Sequence, residues 1–93
     1  KIYNNLIGGN ASGLSSESGY IPPAGALGYN DVYSNAGGNW LNYPSGFGSP
    51  TTVNAGGTPS DPLFNISVDP IFRSDQFHIT TQSPLVNAGT SSN

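Results

Sequence analysis

The chain has no cysteine and no methionine, and Lys1 and Arg73 are its only basic side chains among 93 residues. Without cysteine there is no disulfide framework and no thiolate metal site. With two basic residues there is no cationic face to neutralise a phosphate backbone, which excludes nucleic acid as a partner. An anionic membrane surface is disfavoured for the same reason. His78 is the sole histidine, so no histidine cluster can hold a metal. No apolar run approaches the ~18 residues of a membrane-spanning segment. Large aliphatic and phenylalanine side chains are scarce too: Leu, Ile, Val and Phe make 20 of 93 residues. The net charge of −3 is too small for charge-driven disorder. A chain of this length is one domain, 1–93, and its core is small. Its stability must come from a ladder of backbone bonds, from a bound ion, or from contact with more protein.

What is abundant is punctuation. Gly and Pro together make 21 residues, which excludes long helices and favours short extended segments joined by turns. The apolar residues fall in runs of two to five: Ile2-Tyr3, Leu6-Ile7, Leu27 to Tyr33, Asn65 to Phe72, Phe77 to Ile79, and Leu85-Val86. Their Val, Ile, Tyr and Phe content reads as strand. No segment shows helical spacing, and Ser15 to Gly19 forms one turn at most. Asp61-Pro62 and Asp69-Pro70 mark corners, because each proline removes a ladder donor and each acid caps a turn. Gly8–Gly25 and Ala36–Ser60 read as long irregular loops. In the second, Trp40, Tyr43 and Phe47 tack the chain to the body of the fold, and a short strand is expected around Thr51 to Val53.

The sequence also echoes itself. Tyr3-Asn4-Asn5-Leu6-Ile7 matches Tyr29-Asn30-Asp31-Val32-Tyr33 at an offset of 26, and Asp61-Pro62-Leu63-Phe64 matches Asp69-Pro70-Ile71-Phe72 at an offset of 8. The longer offset fits a parallel solenoid, in which each coil returns the chain one strand spacing higher. Asparagine suits the coil corner, because it tolerates the left-handed conformation and its amide can bond the residue above and below. The expected corner and ladder residues are Asn4, Asn5, Asn30 and Asp31. About 1–60 would be coils and loops, and 61–93 a C-terminal closing segment.

From about residue 27 to residue 90 the segments Tyr29 to Asn35, Gly38-Asn39-Trp40, Asn65 to Phe72, Gln76 to Ile79 and Ser83 to Thr90 resemble, in order and placement, the C-terminal end of right-handed parallel β-helix proteins. These are the pectate-lyase-like extracellular proteins. The resemblance implies an all-β fold, a short right-handed parallel β-helix with long irregular loops and no substantial helix. It implies an extracellular or cell-surface location. It implies no single activity, since that family holds lyases, hydrolases and adhesins. In that family many coils precede this motif, whereas here at most one does. The expectation is therefore that the first coil meets further β-helix coils or another copy of the chain.

The residues themselves offer little chemistry. The acids are Glu17, Asp31, Asp61, Asp69 and Asp75. None forms a glycosidase-like pair with support from its neighbours, and no serine has a base beside it. No catalytic residue is assigned. Corner Asn and Asp oxygens are the one place for a calcium ion, but the dense D-x-D-x-D spacing is missing, so no cofactor is assigned. Asn10-Ala11-Ser12 and Asn65-Ile66-Ser67 fit the N-glycosylation pattern. Trp40, Tyr43 and Tyr20 either form a face for stacking on polysaccharide or serve to pin the loops. The functional expectation is a non-enzymatic structural module that associates end to end or terminates a longer surface β-helix. The alternatives are the C-terminal piece of a polysaccharide lyase or hydrolase, and a carbohydrate-binding module.

Overall fold

A computed structural model describes residues 1–75 and 78–91. Eight short strands form in chain order: β1 (Ile2–Tyr3), β2 (Leu6–Gly8), β3 (Leu14–Ser15), β4 (Leu27–Gly28), β5 (Asp31–Tyr33), β6 (Trp40–Leu41), β7 (Thr52–Val53) and β8 (Pro59–Ser60). The fold is all-β, and no helix occurs among the described residues. Six strands pair in parallel: β1 with β4, β2 with β5 and β3 with β6. Residues 2–15 and 27–41 thus run side by side as two passes of the chain. A third pass pairs with the second through one parallel bridge, Asp31 to Ile66, and lies along it through backbone bonds from Tyr29 N–H to the Leu63 carbonyl and from Val32 N–H to the Ile66 carbonyl. Among the described residues no sheet exceeds two strands. The structure thus establishes an all-β chain with parallel passes, not the closed right-handed β-helix that the sequence resembles.

The pairing corrects the spacing of the echo. Ile2 faces Leu27, Leu6 faces Asp31 and Ile7 faces Val32, an offset of 25 rather than 26. The tyrosines that suggested 26 are neighbours without being register partners: the Tyr3 and Tyr29 rings lie 5.8 Å apart, while Tyr3 faces Gly28. Asparagine, not tyrosine, keeps the register. Asn5 aligns with Asn30 and Asn10 with Asn35.

The apolar core is thin. Leu27, Val32, Ile66 and Ala88 are its buried members, and Val32 is 0% exposed. Gly13 makes room for it: a Cβ there would clash with the Asn39 carbonyl oxygen and stand 2.9 Å from Val32 Cγ1. More polar residues than apolar ones are buried, among them Asn30, Asp31, Asn35, Asn54, Asp61 and Asn65. Burying amides and carboxylates is tolerable only where their hydrogen bonds are made, so the bonding of these residues governs the fold.

Both long loops carry strands. Gly8–Gly25 contains β3. Ala36–Ser60 contains β6 and the β7–β8 hairpin, whose strands pair antiparallel. Asn54 builds that hairpin's turn, its Oδ1 accepting from the N–H groups of Gly56 and Thr58 at 3.0 and 2.9 Å. Trp40, Tyr43 and Phe47 pack against one another with ring centroids 5.2–5.4 Å apart. A Cβ at Gly48 would stand 2.7 Å from the Trp40 ring, so the chain passes close over the indole. The three rings thus pack on one another within the second loop.

Two expected strands do not form. Beyond Ile66 the third pass leaves the second, and Phe72 makes only an isolated antiparallel bridge to Ile79. Asp69 Oδ1 accepts from Ile71 N–H at 2.9 Å and turns the chain, and Pro70 has no N–H for a ladder. Asp61 makes the same turn through Leu63 N–H at 2.9 Å. Leu85-Val86 lies within a run of turns. The alternation expected at Phe77 falls partly outside the described residues. His78 is exposed, and its Nδ1 lies 2.6 Å from Asp75 Oδ2.

Candidate functional site

The most organised polar feature is a pair of asparagine ladders at the corners of the passes. In the first, Asn5 N–H donates to Asn30 Oδ1 at 3.1 Å, Asn30 N–H to Asn65 Oδ1 at 3.1 Å, and Asn65 N–H to Asp61 Oδ1 at 2.9 Å. The side-chain amides reinforce it. Asn30 Nδ2 donates up to Asn65 Oδ1 at 3.0 Å and down to the Ile2 carbonyl at 2.9 Å. In the second ladder, Asn10 N–H donates to Asn35 Oδ1 at 3.1 Å and Asn35 N–H to Asn39 Oδ1 at 3.2 Å. Asn35 Nδ2 reaches up to Asn39 Oδ1 at 2.9 Å and down to the Ile7 carbonyl at 3.0 Å. The two corners are built alike, since each buried asparagine takes the carbonyl 28 residues earlier.

Backbone conformation explains the spacing. The residue before each of the corner asparagines Asn5, Asn10, Asn30, Asn35 and Asn65 has a positive φ: Asn4 (60°) and Gly9 (71°) in the first pass, Tyr29 (57°) and Ser34 (54°) in the second, and Phe64 (64°) in the third. This left-handed step bends the extended chain sharply and presents the next residue's N–H and side chain along the stacking direction. For Tyr29 and Phe64 the conformation is sterically unfavourable, and their rings stack on each other, 5.2 Å apart and 28° from parallel.

The ladders have two different ends. Asp61 closes the first. Its carboxylate only accepts, receiving Gly48 N–H, Leu63 N–H, Asn65 N–H and Asn65 Nδ2, so no further link is needed. Asn39 closes the second and gives its own Nδ2 to Ser67 Oγ at 3.0 Å. Continuing the Asp31–Ile66 register would bring Pro70 above Asn35, and proline can neither donate nor extend the ladder. At the first pass both ladders stay open. Asn5 and Asn10 are exposed, and neither the Asn5 Oδ1 nor the Asn10 side chain accepts a bond among the described residues.

Of the expected ladder residues, Asn5 and Asn30 take that role. Asn4 is a corner residue as expected, in the left-handed step at φ 60°, but does not join the ladder: its amide exchanges two bonds with the Thr90 backbone. Asp31 does not either, because its strand position points it away from the ladder. Its Oδ1 accepts from Val68 N–H at 3.1 Å, its Oδ2 is buried without a partner, and the residue is 2% exposed. Burial pushes its carboxyl up to about 6, Val68 N–H opposes that, and Asp69 adds to it. The sequence reading missed Asn35, Asn39 and Asp61, and took Asn10 and Asn65 only as glycan acceptors. A search for Asx residues 25 apart would have found both corners. Asn65 is 1% exposed with its amide held by Asp61, so the folded chain has no room for a glycan there, whereas Asn10 is exposed.

The aromatic candidates separate. Trp40 belongs to the second loop's aromatic cluster, with its Nε1 buried and unpartnered. Tyr20 and Tyr43 share an open cleft of about 370 Å³ with Ile21, Asn42 and Pro44. Tyr20 is 46% exposed. Burial raises the Tyr43 hydroxyl pKa, and Tyr20 beside it raises it further. Among the described residues no group of three or more His, Asp or Glu side chains converges as a metal site, and no helix is long and apolar enough to cross a membrane. Comparison with protein-family models, with curated proteins and with solved structures finds no match.

Proposed function

We propose that this chain is a non-enzymatic, extracellular structural module that closes one end of a longer parallel β-stack. The observation that carries the proposal is the asymmetry of the ladders. Both are terminated on the third-pass side, by Asp61 and Asn39, and both are open on the first-pass side, at Asn5 and Asn10. A stack of repeats needs terminal units that stop the pairing. Acceptor-only Asp61 and donorless Pro70 supply that stop by chemistry. The near-absence of lysine and arginine and the wealth of Asn, Ser and Gly fit a surface protein with no nucleic-acid or anionic-membrane partner.

This role differs from end-to-end filament growth, which needs both faces to pair. The two separate cleanly when the purified chain is concentrated and followed by sedimentation and electron microscopy. A closing module stays as monomers or small face-to-face pairs. Filaments lengthening with concentration would overturn the closing role in favour of end-to-end assembly.

A second reading has one observation behind it. The Tyr20–Tyr43 cleft offers two phenol rings and no charged side chain, which suits the neutral, flat C–H face of a sugar. Polysaccharide titration followed by Trp40 emission tests it, because Trp40 touches Tyr43.

A further inference from the structure

The open face of the first pass carries a definite specification for what lies against it. In the observed pairing of passes, the upper rung reads the lower one through its corner asparagines. Asn30 Oδ1 takes the N–H of the lower corner residue, Asn5, and Asn30 Nδ2 takes the carbonyl three residues before that corner, Ile2. Asn35 does the same to Asn10 and Ile7. The lower rung therefore contributes mainly backbone groups: two N–H donors five residues apart, each following a left-handed residue, and a carbonyl three residues ahead of each, with Asn5 Nδ2 adding one side-chain bond to Asn30 Oδ1 at 3.3 Å.

Resting on the stack-closing reading, we infer that Asn5 and Asn10 are the readers of the next rung. Its occupant is a parallel coil with two left-handed corners five residues apart and a free N–H after each. A second copy of this module cannot supply it from its third-pass side. There the first-corner N–H groups of Asn65 are spent on Asp61, the second corner is occupied by Asn39, and Pro70 has no N–H. The partner is a coil like residues 1–15, held by side-chain amides rather than by apolar burial. The Asn5 side chain can take this role: its Oδ1 accepts no bond among the described residues, its Nδ2 already bonds upward to Asn30 Oδ1, and the exposed Nδ2 bond to its own Tyr3 carbonyl can be exchanged for a carbonyl of the next coil.

The test lengthens the full chain by a second copy of residues 1–25 placed ahead of Lys1, one register repeat. The added rung should raise the thermal midpoint by at least ~4 °C. The pair Asn5→Ala and Asn10→Ala, made in the original pass, should abolish most of that gain while shifting the unextended chain far less. Asn5→Asp with Asn10→Asp, which keeps the acceptor oxygen, should retain part of it. A copy with one residue deleted between its corners should dock at one corner and give about half the gain. If the rung stabilises equally with and without the two asparagines, the reader role fails while the stack survives. If the rung stabilises nothing, the stack-closing reading fails with it.

Discussion

Asn4 and Thr90 exchange a pair of hydrogen bonds across 86 residues: Asn4 Nδ2 donates to the Thr90 carbonyl at 2.7 Å, and Thr90 N–H donates to Asn4 Oδ1 at 2.9 Å. The side-chain amide acts as a strand of one residue and ties the last described segment to the first pass. Gly89 fits beneath it, because a Cβ there would meet Asn4 Oδ1 at 3.0 Å. Asn4→Ala should leave Leu27, Val32 and Ile66 packed and release residues 83–90, Ala88 among them. Amide exchange in that segment should rise at least several-fold while Val32 and Ile66 stay protected. Unchanged exchange at Ala88 would show that the clasp contributes nothing.

The ladder residues should differ sharply in their weight. Asn30 is 0% exposed and its side chain bonds both neighbouring passes, so Asn30→Ala removes the partner of the part-buried Asn5 N–H and Ile2 carbonyl and one bond to Asn65 Oδ1, and should cost about 2–3 kcal/mol. Asn5→Ala, at the exposed end, should cost less than about 1 kcal/mol. Urea denaturation of the two variants measures this. Equal losses would mean that the ladder is not the source of the stability.

Asp31 predicts a pH dependence of definite sign. Its carboxyl is raised from 3.8 to about 6 by burial, so the folded chain holds this proton more tightly than the unfolded chain does. The stabilisation is complete below pH ~4 and is lost as pH rises through about 6. Its upper bound is about 2–3 kcal/mol. Asp31→Asn should flatten the stability profile between pH 4 and 7. A wild-type profile that rises across this window would contradict the assignment.

Trp40 should matter for stability whether or not the cleft binds sugar. Its ring is the hub of the Tyr43–Phe47 contact, so Trp40→Ala should lower stability by about 2–4 kcal/mol and expose the 42–50 segment to proteolysis. Tyr20→Ala removes a 46%-exposed ring from the cleft and should leave the melting temperature nearly unchanged. If a glycan binds, Tyr20→Ala should weaken it at least tenfold.

Much of this was legible in the residues alone. Scarce aliphatics, frequent Gly and Pro, and short β-rich runs dictate an all-β chain without helices, because no segment has the period or the length for one. The Asp-Pro pairs fixed two turns through local side-chain bonds, and the self-similarity pointed to parallel passes. The register did not follow, because the eye aligns tyrosines while the structure aligns amides. Matching Tyr3 to Tyr29 and matching Asn5 to Asn30 give registers one residue apart, and only the corner geometry decides between them.

The sequence by itself determined what the chain is made of: turn residues, short strands and an excess of amides with little core to bury. Tertiary structure alone decided which amides stack, that Asn4 and Asp31 leave the ladder for Thr90 and Val68, and that Asp61 and Asn39 end it. The reason is physical. A strand or a turn is set by the conformational limits of neighbouring residues, whereas the ladder bonds between passes join groups some 25 to 35 residues apart. Its partner is chosen only when the passes have come together and every buried amide must find a donor or acceptor.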